Sequence, residues 1–183
     1  FRSVLFDLGV SSHQIDTAER GFSYRHDAPL DMRMDASAAL SAHDVVNGYD
    51  EAELARIPHA YGDERFARRI ASAIVAARPV ASTLALAEIV RAAIPAATRR
   101  HGGHPAKRTF QAIRIEVNAE LAILADAIDQ AISVTATAGR IAVLSYHSGE
   151  DRIVKECFRR AASGSCTCPT GYPCVCGAVP TVR

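Results

Sequence analysis

The stretch Val4-Leu5-Phe6-Asp7-Leu8-Gly9 decides the fold class of this chain. It is an uninterrupted apolar run that ends in a carboxylate and a glycine. Such a run predicts a short parallel strand that is covered on both faces. In open α/β sheets, ligands bind just outside the carboxyl ends of the strands, which is where Asp7 would lie. Asp7 is therefore a candidate ligand-binding or catalytic residue; the competing interpretation is a carboxylate that caps the following turn.

A second β-like run, Ile141-Ala142-Val143-Leu144, leads into Ser145-Tyr146-His147-Ser148 and a further helical pattern. Between the two runs lie an irregular segment and several helical patterns, with no further β-like run. This order predicts part of a doubly wound α/β fold that is interrupted by an all-α subdomain. We expect four segments: 1–20 and 99–160 form the α/β core, 21–98 form the inserted helical subdomain with its connecting loop, and 161–183 form a Cys/Pro/Gly-rich tail.

Local signals place the helices. Asp50 is predicted to cap a helix that Pro58 should kink or end, Asp63 to cap the next one, and Ser82 or Thr83 to open a third. A long helix is then expected, with a core-facing stripe at steps of three and four. The stripe is Phe110, Ile113, Val117, Leu121, Leu124, Ile128 and Ile132.

Residues 17–49 show neither helical nor strand periodicity. They are polar and rich in turn-forming residues. Long loops without regular structure are uncommon in compact domains unless they have a role. We interpret the segment as an ordered loop that carries function or connects domains.

The segment His101-Gly102-Gly103-His104-Pro105-Ala106-Lys107-Arg108 stands directly before the predicted long helix. Its glycines and proline predict a tight turn. Lys107 and Arg108 then fall in the first helical turn, where the helix dipole disfavours cations, so we expect them to face an anion such as a phosphate. Lys107 and Arg108, with the neighbouring His104, are candidate anion-binding residues. The alternative is a solvated basic loop, and the same two interpretations apply to the arginines between residues 65 and 78.

Composition limits the possible functions. The chain has 183 residues, 49% of them hydrophobic, and a formal net charge of +1. It has room for one ordinary domain, and any nucleic-acid footprint must be local. No apolar run could span a bilayer and no secretory segment is recognisable, so we expect a cytoplasmic protein with no membrane partner. Because the chain starts at Phe1 on a strand, we expect it to lack an N-terminal piece.

Four cysteines form two C-x-C pairs, Cys166-x-Cys168 and Cys174-x-Cys176. In a cytosolic protein disulfides are not expected. Zinc is possible, although C-x-C is less typical of structural zinc sites than C-x₂₋₄-C. The alternatives are a reduced tail and a tail that orders only on a partner. We assign no metal site on this spacing alone.

Several motifs resemble the bacterial 16S rRNA (cytosine-N4)-methyltransferase family, and they occur in the family's order. The resemblance covers nearly the whole chain up to Arg160. The motifs are Asp7-Leu8-Gly9-Val10-Ser11-Ser12-x-Gln14, Glu19-Arg20-Gly21-Phe22-Ser23-Tyr24, Pro29-Leu30-Asp31-Met32-Arg33-Met34, Tyr61-Gly62-x-Glu64-Arg65-Phe66, Gly102-Gly103-His104-Pro105-Ala106-Lys107-Arg108-Thr109-Phe110-Gln111, Arg114-Ile115-Glu116-Val117-Asn118 and His147-Ser148-x-Glu150-Asp151-Arg152.

The resemblance implies a Rossmann-like class I methyltransferase core, present in part, with the helical subdomain inserted. It implies transfer of a methyl group from S-adenosylmethionine to N4 of a cytosine in the decoding region of 16S rRNA, with the small ribosomal subunit as partner. By the family pattern, Asp7 and Gln14 contact S-adenosylmethionine, and a catalytic role for Asp7 is our hypothesis. The glycine-rich cofactor loop of the family precedes Phe1, so we expect this chain alone to bind the cofactor poorly and to be inactive.

Two other functions remain open at this stage. One is a non-catalytic RNA-binding module that lacks the cofactor loop; retention of Asp7 and Gln14 argues against it. The other is a small zinc-dependent interaction domain centred on the four cysteines. His147 either serves the site or simply hydrogen-bonds at a strand end. The sequence does not define an oligomeric state.

Overall fold

A computed structural model describes residues 1–99, 103–164, 166–168 and 175–183. Residues 101 and 102 of the basic segment, and Cys174 of the second cysteine pair, lie outside the described residues. The chain divides into two compact units. We call Phe1–Gly9 with Glu120–Arg183 the sheet unit, and Val10–Ala119 the helical unit. These units do not coincide with the four segments expected from sequence, and that division stays a prediction.

The sheet unit contains two parallel strands, β1 (Ser3–Asp7) and β2 (Arg140–Leu144), which pair in register from Ser3 opposite Arg140 to Asp7 opposite Leu144. The prediction of parallel strands is therefore confirmed. The prediction that β1 is covered on both faces is wrong for this structure, because burial alternates along each strand and Leu5 is 67% exposed.

Two helices complete the regular structure described in the sheet unit, α8 (Glu120–Val134) and α9 (Ser148–Ser163). They pack together around Leu124, Ile128 and Cys157. The predicted helix after β2 is thus present, and its Cys157 faces inward as expected.

The helical unit has seven α-helices within its described residues. They are α1 (Ser12–Asp16), α2 (Ala42–Gly48), α3 (Glu51–Gly62), α4 (Ala67–Ala76), α5 (Thr83–Ala93), α6 (Ala96–Arg99) and α7 (Lys107–Asn118). Apolar faces of α2 to α5 and α7 meet in one buried cluster, which also takes in residues of the preceding loop. An all-α arrangement was expected here, although α2 was not.

The cap predictions had mixed outcomes. Asp50 caps α3 and Ser82 caps α5, as predicted, through their side-chain oxygens and the backbone N–H groups of Glu53 and Ala85. Asp63 does not cap α4; it ends α3 in the left-handed conformation, with φ 47°. Pro58 neither ends nor interrupts the span of α3. Its missing N–H costs one helical bond, and its buried ring belongs to the packed face of the helix.

The predicted single long helix is two helices. Helix α7 ends at Asn118, Ala119 takes a left-handed φ of 50°, and α8 begins at Glu120. Five of the seven stripe residues are buried as expected, whereas Leu121 and Ile132 are only partly buried. The buried ones serve two cores: Phe110, Ile113 and Val117 belong to the helical unit, and Leu124 and Ile128 to the sheet unit.

The loop before α2 is ordered, as predicted. It includes a 3₁₀ turn at Ala18–Arg20 and a buried Met32. Gly21 is needed where the loop folds back, since φ is +68° and a Cβ there would lie 2.3 Å from the Pro29 carbonyl oxygen. Asn118 of α7 binds the loop twice: its Nδ2 donates to the Met32 carbonyl (2.8 Å) and its Oδ1 accepts from Met34 N (2.7 Å).

In the part of the chain that the structure describes, no helix combines the length and the apolar character that a membrane span requires.

Candidate active site and nucleic-acid interface

Asp7 is the last residue of β1, and its carboxylate is exposed at the carboxyl end of the two-stranded sheet. Tyr146, which follows β2, donates its hydroxyl to Asp7 Oδ1 at 2.7 Å. This hydrogen bond and the negative charge of Asp7 raise the pKa of Tyr146 above its usual value. The strand ends thus bring a carboxylate and a phenol together, which is an acceptor and a donor at the place where open α/β sheets bind ligands.

Tyr146 was not singled out from the sequence. The signal was available, because carboxyl ends of parallel strands lie at the same sheet edge and Tyr146 directly follows the second strand. What the sequence could not give was the register, which sets Asp7 opposite Leu144 and so brings Tyr146 within reach.

His147 serves as a helix cap in this structure, which supports the simpler of its two interpretations. It is the N-cap residue of α9, and its Nδ1 accepts from the backbone N–H of Glu150. Its Nε2 lies 3.2 Å from Glu150 Oε1 without hydrogen-bond geometry. The buried carboxylate of Glu150 also accepts a hydrogen bond from Tyr146 N at 2.8 Å, and so it holds the backbone of the turn after β2.

Gln14 belongs to the helical unit, whereas Asp7 belongs to the sheet unit. Gln14 is the third residue of α1, and its side-chain Oε1 accepts from Ser11 N at 2.9 Å in a capping box. This explains part of the motif in structural terms. The amide group Nε2 is the donor that a ligand would use, and the cofactor contact stays a prediction.

His104 lies just before α7 and stacks on Tyr24 from the ordered loop, with ring centroids 4.3 Å apart and an interplanar angle of 13°. Tyr24 in turn meets Phe110 edge-on at 5.6 Å. The His104 Nδ1 accepts from Ala106 N at 3.2 Å, which fixes the ring orientation. The imidazole is exposed on its outer side, so an aromatic surface is held in place beside the start of α7.

Lys107 and Arg108 form the exposed first turn of α7, as predicted. The Arg108 side chain donates to the Asp63 carbonyl at 3.1 Å. The end of α3 lies close to α7 here, and the glycine at position 62 permits this, since a Cβ there would lie 2.8 Å from the Arg108 carbonyl oxygen. Ala106, at the N-cap, has no side chain that could cap the helix. Two exposed cations therefore stand at the N-terminus of α7, which suits an anion.

A cleft of about 560 Å³ opens at this point. Its walls include Arg65, His104, Lys107 and Arg108. A second cleft, of about 990 Å³, lies between α3 and α4 and shares Arg65 with the first. Its other basic residues are Arg56, His59, Arg68 and Arg69.

The arginines of residues 65–78 divide into two groups. Arg65, Arg68 and Arg69 line the clefts and are exposed. Arg78 instead donates to the carbonyls of Val46 (2.9 Å) and Tyr49 (2.5 Å), so it stabilises the end of α2. The exposed group extends the basic surface that begins at Lys107, and Arg78 has a structural role.

The structure combines helices with a parallel strand pair that ends in a carboxylate and a phenol, and comparison with known proteins gives the family. The chain belongs to the MraW methylase family, whose model matches residues 1–182. It is 56% identical to a protein of Paenibacillus sp. (strain JDR-2) over 184 residues and 60% identical to one of Thermobifida fusca (strain YX) over 173. Both relatives are named ribosomal RNA small subunit methyltransferase H.

These matches cover most of this chain but only part of each relative. They include 98% of the chain and 58% of the Paenibacillus protein, and 93% of the chain and 52% of the Thermobifida protein. A relative from Symbiobacterium thermophilum is 57% identical over 97% of the chain and 57% of its own length, and it has the same name. The chain thus spans somewhat more than half the length of these relatives.

Proposed function

We propose that this chain is part of an S-adenosylmethionine-dependent methyltransferase that methylates N4 of a cytosine in the decoding region, at the P site, of 16S rRNA. The observation that carries this proposal is the Asp7 carboxylate at the carboxyl end of β1, held by the Tyr146 hydroxyl from the turn after β2. Family membership and the names of the relatives support it. The partial Rossmann-like core and the inserted helical subdomain belong to the same proposal.

The chemistry gives Asp7 a role. The N4 lone pair of cytosine is delocalised into the ring, so N4 is a weak nucleophile. When N4 gains a methyl group it must lose a proton, and we propose that the Asp7 carboxylate accepts the N4–H hydrogen bond and then this proton. Tyr146 holds the carboxylate in place through its hydroxyl. Most of the acceleration comes from positioning, and the base must leave its stack to reach the site.

S-adenosylmethionine supplies the methyl group as a sulfonium. The residues predicted to contact it have suitable chemistry, since the exposed carboxylate of Asp7 accepts hydrogen bonds and the Nε2 of Gln14 donates them. Each residue is fixed locally, Asp7 by Tyr146 and Gln14 by the Ser11 capping box. The contacts of both residues with the cofactor are proposals.

Replacement of Asp7 tests the catalytic proposal in the protein that carries this chain. We expect Asp7→Asn to lower the rate of methyl transfer from labelled S-adenosylmethionine to unmodified small ribosomal subunits by about 10²–10⁴-fold, because a general base contributes about that much. Asp7 is exposed, so the free energy of unfolding should change by no more than about 0.5 kcal/mol.

Asp126→Asn is the matched control, because Asp126 is another exposed aspartate of the sheet unit. It should leave the rate unchanged. Tyr146→Phe should cause a smaller loss than Asp7→Asn, since it removes only the hydroxyl that holds the carboxylate. Equal methyl-transfer rates for wild type and Asp7→Asn would contradict the catalytic role. Calorimetry measures the affinity for S-adenosylmethionine separately and shows whether the Asp7 carboxylate contributes to cofactor binding.

We propose that the start of α7 binds the RNA substrate. Lys107 and Arg108 would contact phosphates, as exposed cations beside a helix N-terminus. The exposed face of His104, stacked on Tyr24, would contact a phosphate or an unstacked base. The substrate is 16S rRNA, and the assay compares naked RNA with assembled subunits. A cytoplasmic location follows from that substrate and stays a prediction.

Salt dependence of RNA binding tests this interface. The double substitution Lys107→Ala with Arg108→Ala should weaken binding and reduce the slope of log K against log salt by about 1–2, because each lost phosphate contact removes about 0.7–0.9. Lys155→Ala is the control, since Lys155 is an exposed lysine paired with Asp151 on α9. An unchanged slope in the double variant would show that these cations do not contact phosphates.

The relatives' names favour this proposal over a non-catalytic RNA-binding module. The assay separates the two directly, because a module of that kind would bind RNA and transfer no methyl group.

A further inference from the structure

The cysteine-rich segment after α9 folds back onto the end of that helix. Helix α9 ends at Ser163, and its C-cap residue Gly164 has a left-handed φ of 59°. Further along the chain, Thr181 N donates to the Ala161 carbonyl at 2.9 Å, and the Thr181 hydroxyl donates to the same oxygen at 3.3 Å. A Cβ on Gly164 would lie 2.6 Å from the Val179 backbone, so the returning chain packs tightly here. The chain therefore returns to the end of α9 at Val179 and Thr181, and we call this return the loop closure.

This closure brings together thiols from both C-x-C pairs. The Sγ atoms of Cys166, Cys168 and Cys176 all lie within 4.8 Å of one another. Cys166 Sγ and Cys176 Sγ are 3.5 Å apart, well beyond the length of about 2.05 Å of a disulfide bond. Tetrahedral zinc with Zn–S bonds of about 2.3 Å holds its sulfur ligands roughly 3.8 Å apart. The observed spacing thus suits a shared metal ion.

We propose that Cys166, Cys168 and Cys176 bind a structural zinc ion. Thiolates are soft ligands and select zinc over the hard cations that prefer oxygen. The backbone also contributes, because Val175 N donates to Cys168 Sγ at 3.4 Å, and an N–H hydrogen bond stabilises the charge on a thiolate ligand.

The loop closure also answers the objection from sequence spacing. A single C-x-C pair is less typical of zinc sites than C-x₂₋₄-C, but here the ligands come from two pairs that the fold brings side by side. The site lies outside the catalytic proposal, which uses no cysteine. Its expected effect is to hold the returning chain at Thr181 against the end of α9.

Metal analysis of the reduced protein that carries this chain is the direct test. After exposure to zinc and desalting under reducing conditions, we expect one equivalent of zinc per chain. Replacement by cobalt should give the intense visible absorption of tetrahedral thiolate coordination. X-ray absorption should count at least three sulfur ligands around the zinc ion. A lower sulfur count, or no retained metal, would overturn the proposal.

Single substitutions identify the ligands. Cys166→Ser, Cys168→Ser and Cys176→Ser should each weaken zinc binding at least tenfold, whereas Cys157→Ala should not. Cys157 is the matched control, because it is a buried cysteine of α9 that does not belong to the cluster. Equal zinc affinity in all four variants would refute the assignment.

Hydrogen exchange reports on the loop closure itself. Chelation of zinc should speed exchange of the Thr181 amide, which donates to the Ala161 carbonyl. The exchange rate of the Leu8 amide, which donates to the Leu144 carbonyl, should not change. The competing chemistry is a disulfide, and intact mass distinguishes it. An untreated protein that is two hydrogens lighter than the reduced one, and that binds no zinc after reduction, would show a disulfide-forming pair in place of the proposed zinc site.

Discussion

The two units of this chain differ in how they are stabilised. The helical unit has one large cluster of buried side chains, to which five helices and the ordered loop contribute. Among the described residues of the sheet unit, the buried cluster consists of Leu124, Ile128 and Cys157, and the strands leave Leu5 67% and Leu144 49% exposed. Packing therefore fixes the helical unit, while the sheet unit presents the polar groups at its strand ends. Truncation of a buried side chain should accordingly cost more stability in the helical unit than in the sheet unit.

The largest effect on stability should come from cavities in the two clusters. We expect Ile113→Ala, in the helical unit, to cost about 4–5 kcal/mol of unfolding free energy and Ile128→Ala, in the sheet unit, about 2–3 kcal/mol. Both side chains are buried, at 1% and 0% exposure, but the smaller cluster can relax more fully around a cavity. Urea denaturation measures each change in unfolding free energy, and hydrogen exchange of amides in each unit shows which unit is destabilised.

Ile123→Ala is the control for this pair. Ile123 lies on α8 and is 62% exposed, so its truncation should change the unfolding free energy by no more than about 0.5 kcal/mol. If Ile128→Ala costs as much as Ile113→Ala, the proposed difference in packing between the units is wrong.

A smaller effect should follow from loss of the Asn118 amide, which binds the ordered loop to α7. Asn118→Ala leaves the Met32 carbonyl and the Met34 N–H without these partners, and we expect a cost of about 2–3 kcal/mol. Exchange of the Met34 amide should become faster. Asn47→Ala is the matched control, because the Asn47 amide binds Val80 in the same two-bond manner elsewhere in the unit. Asn47→Ala should destabilise the unit, but exchange of the Met34 amide should become faster only as far as the lower free energy of global unfolding requires.

The smallest effect concerns acid stability. The hydrogen bond from the Arg33 side chain lowers the pKa of Asp31 below 3.8, more than burial raises it. The unfolded chain therefore takes up the proton first, so this stabilisation is complete above about pH 4 and is lost as the pH falls through the lowered value. We expect a contribution of about 0.5 kcal/mol or slightly more, since the pair is partly exposed.

The pH dependence of the unfolding free energy in two variants distinguishes this ion pair from an exposed one. Asp31→Asn should flatten the acid limb of stability in the helical unit. Glu156→Gln removes an analogous pair with Arg159 in the sheet unit, where the pKa of Glu156 is also lowered but both side chains are more exposed. It should change the acid limb less. The reverse order would show that the pair in the loop does not contribute as proposed.

Local sequence signals predicted much of the fold. The caps Asp50 and Ser82 could be read directly, because a capping side chain bonds to a backbone group within three residues. The same type of signal was present at Ser41 and Asp44, a capping box before Val45 and Val46, and it would have revealed α2. The start of α2 is thus encoded by neighbouring residues.

The division of the long stripe could not be read from the sequence. Ala119 carries no mark of a helix end, because a left-handed conformation at alanine is intrinsically unfavourable. Distant contacts favour the break there: Asn118 binds Met32 and Met34, which are far away in the sequence. A periodic pattern shows which face of a helix is apolar, but not which of two cores that face enters.

The candidate site shows the same division. The sequence by itself determined the strand that ends at Asp7, the basic first turn at Lys107 and Arg108, and the cysteine pairs, because each depends on neighbouring residues. Only the tertiary structure decided that Tyr146 reaches Asp7, that Tyr24 supports His104, and that thiols of both cysteine pairs meet. Strand register, loop anchoring and chain reversal set these contacts, and each is a balance of packing and hydrogen bonds between residues far apart in the chain.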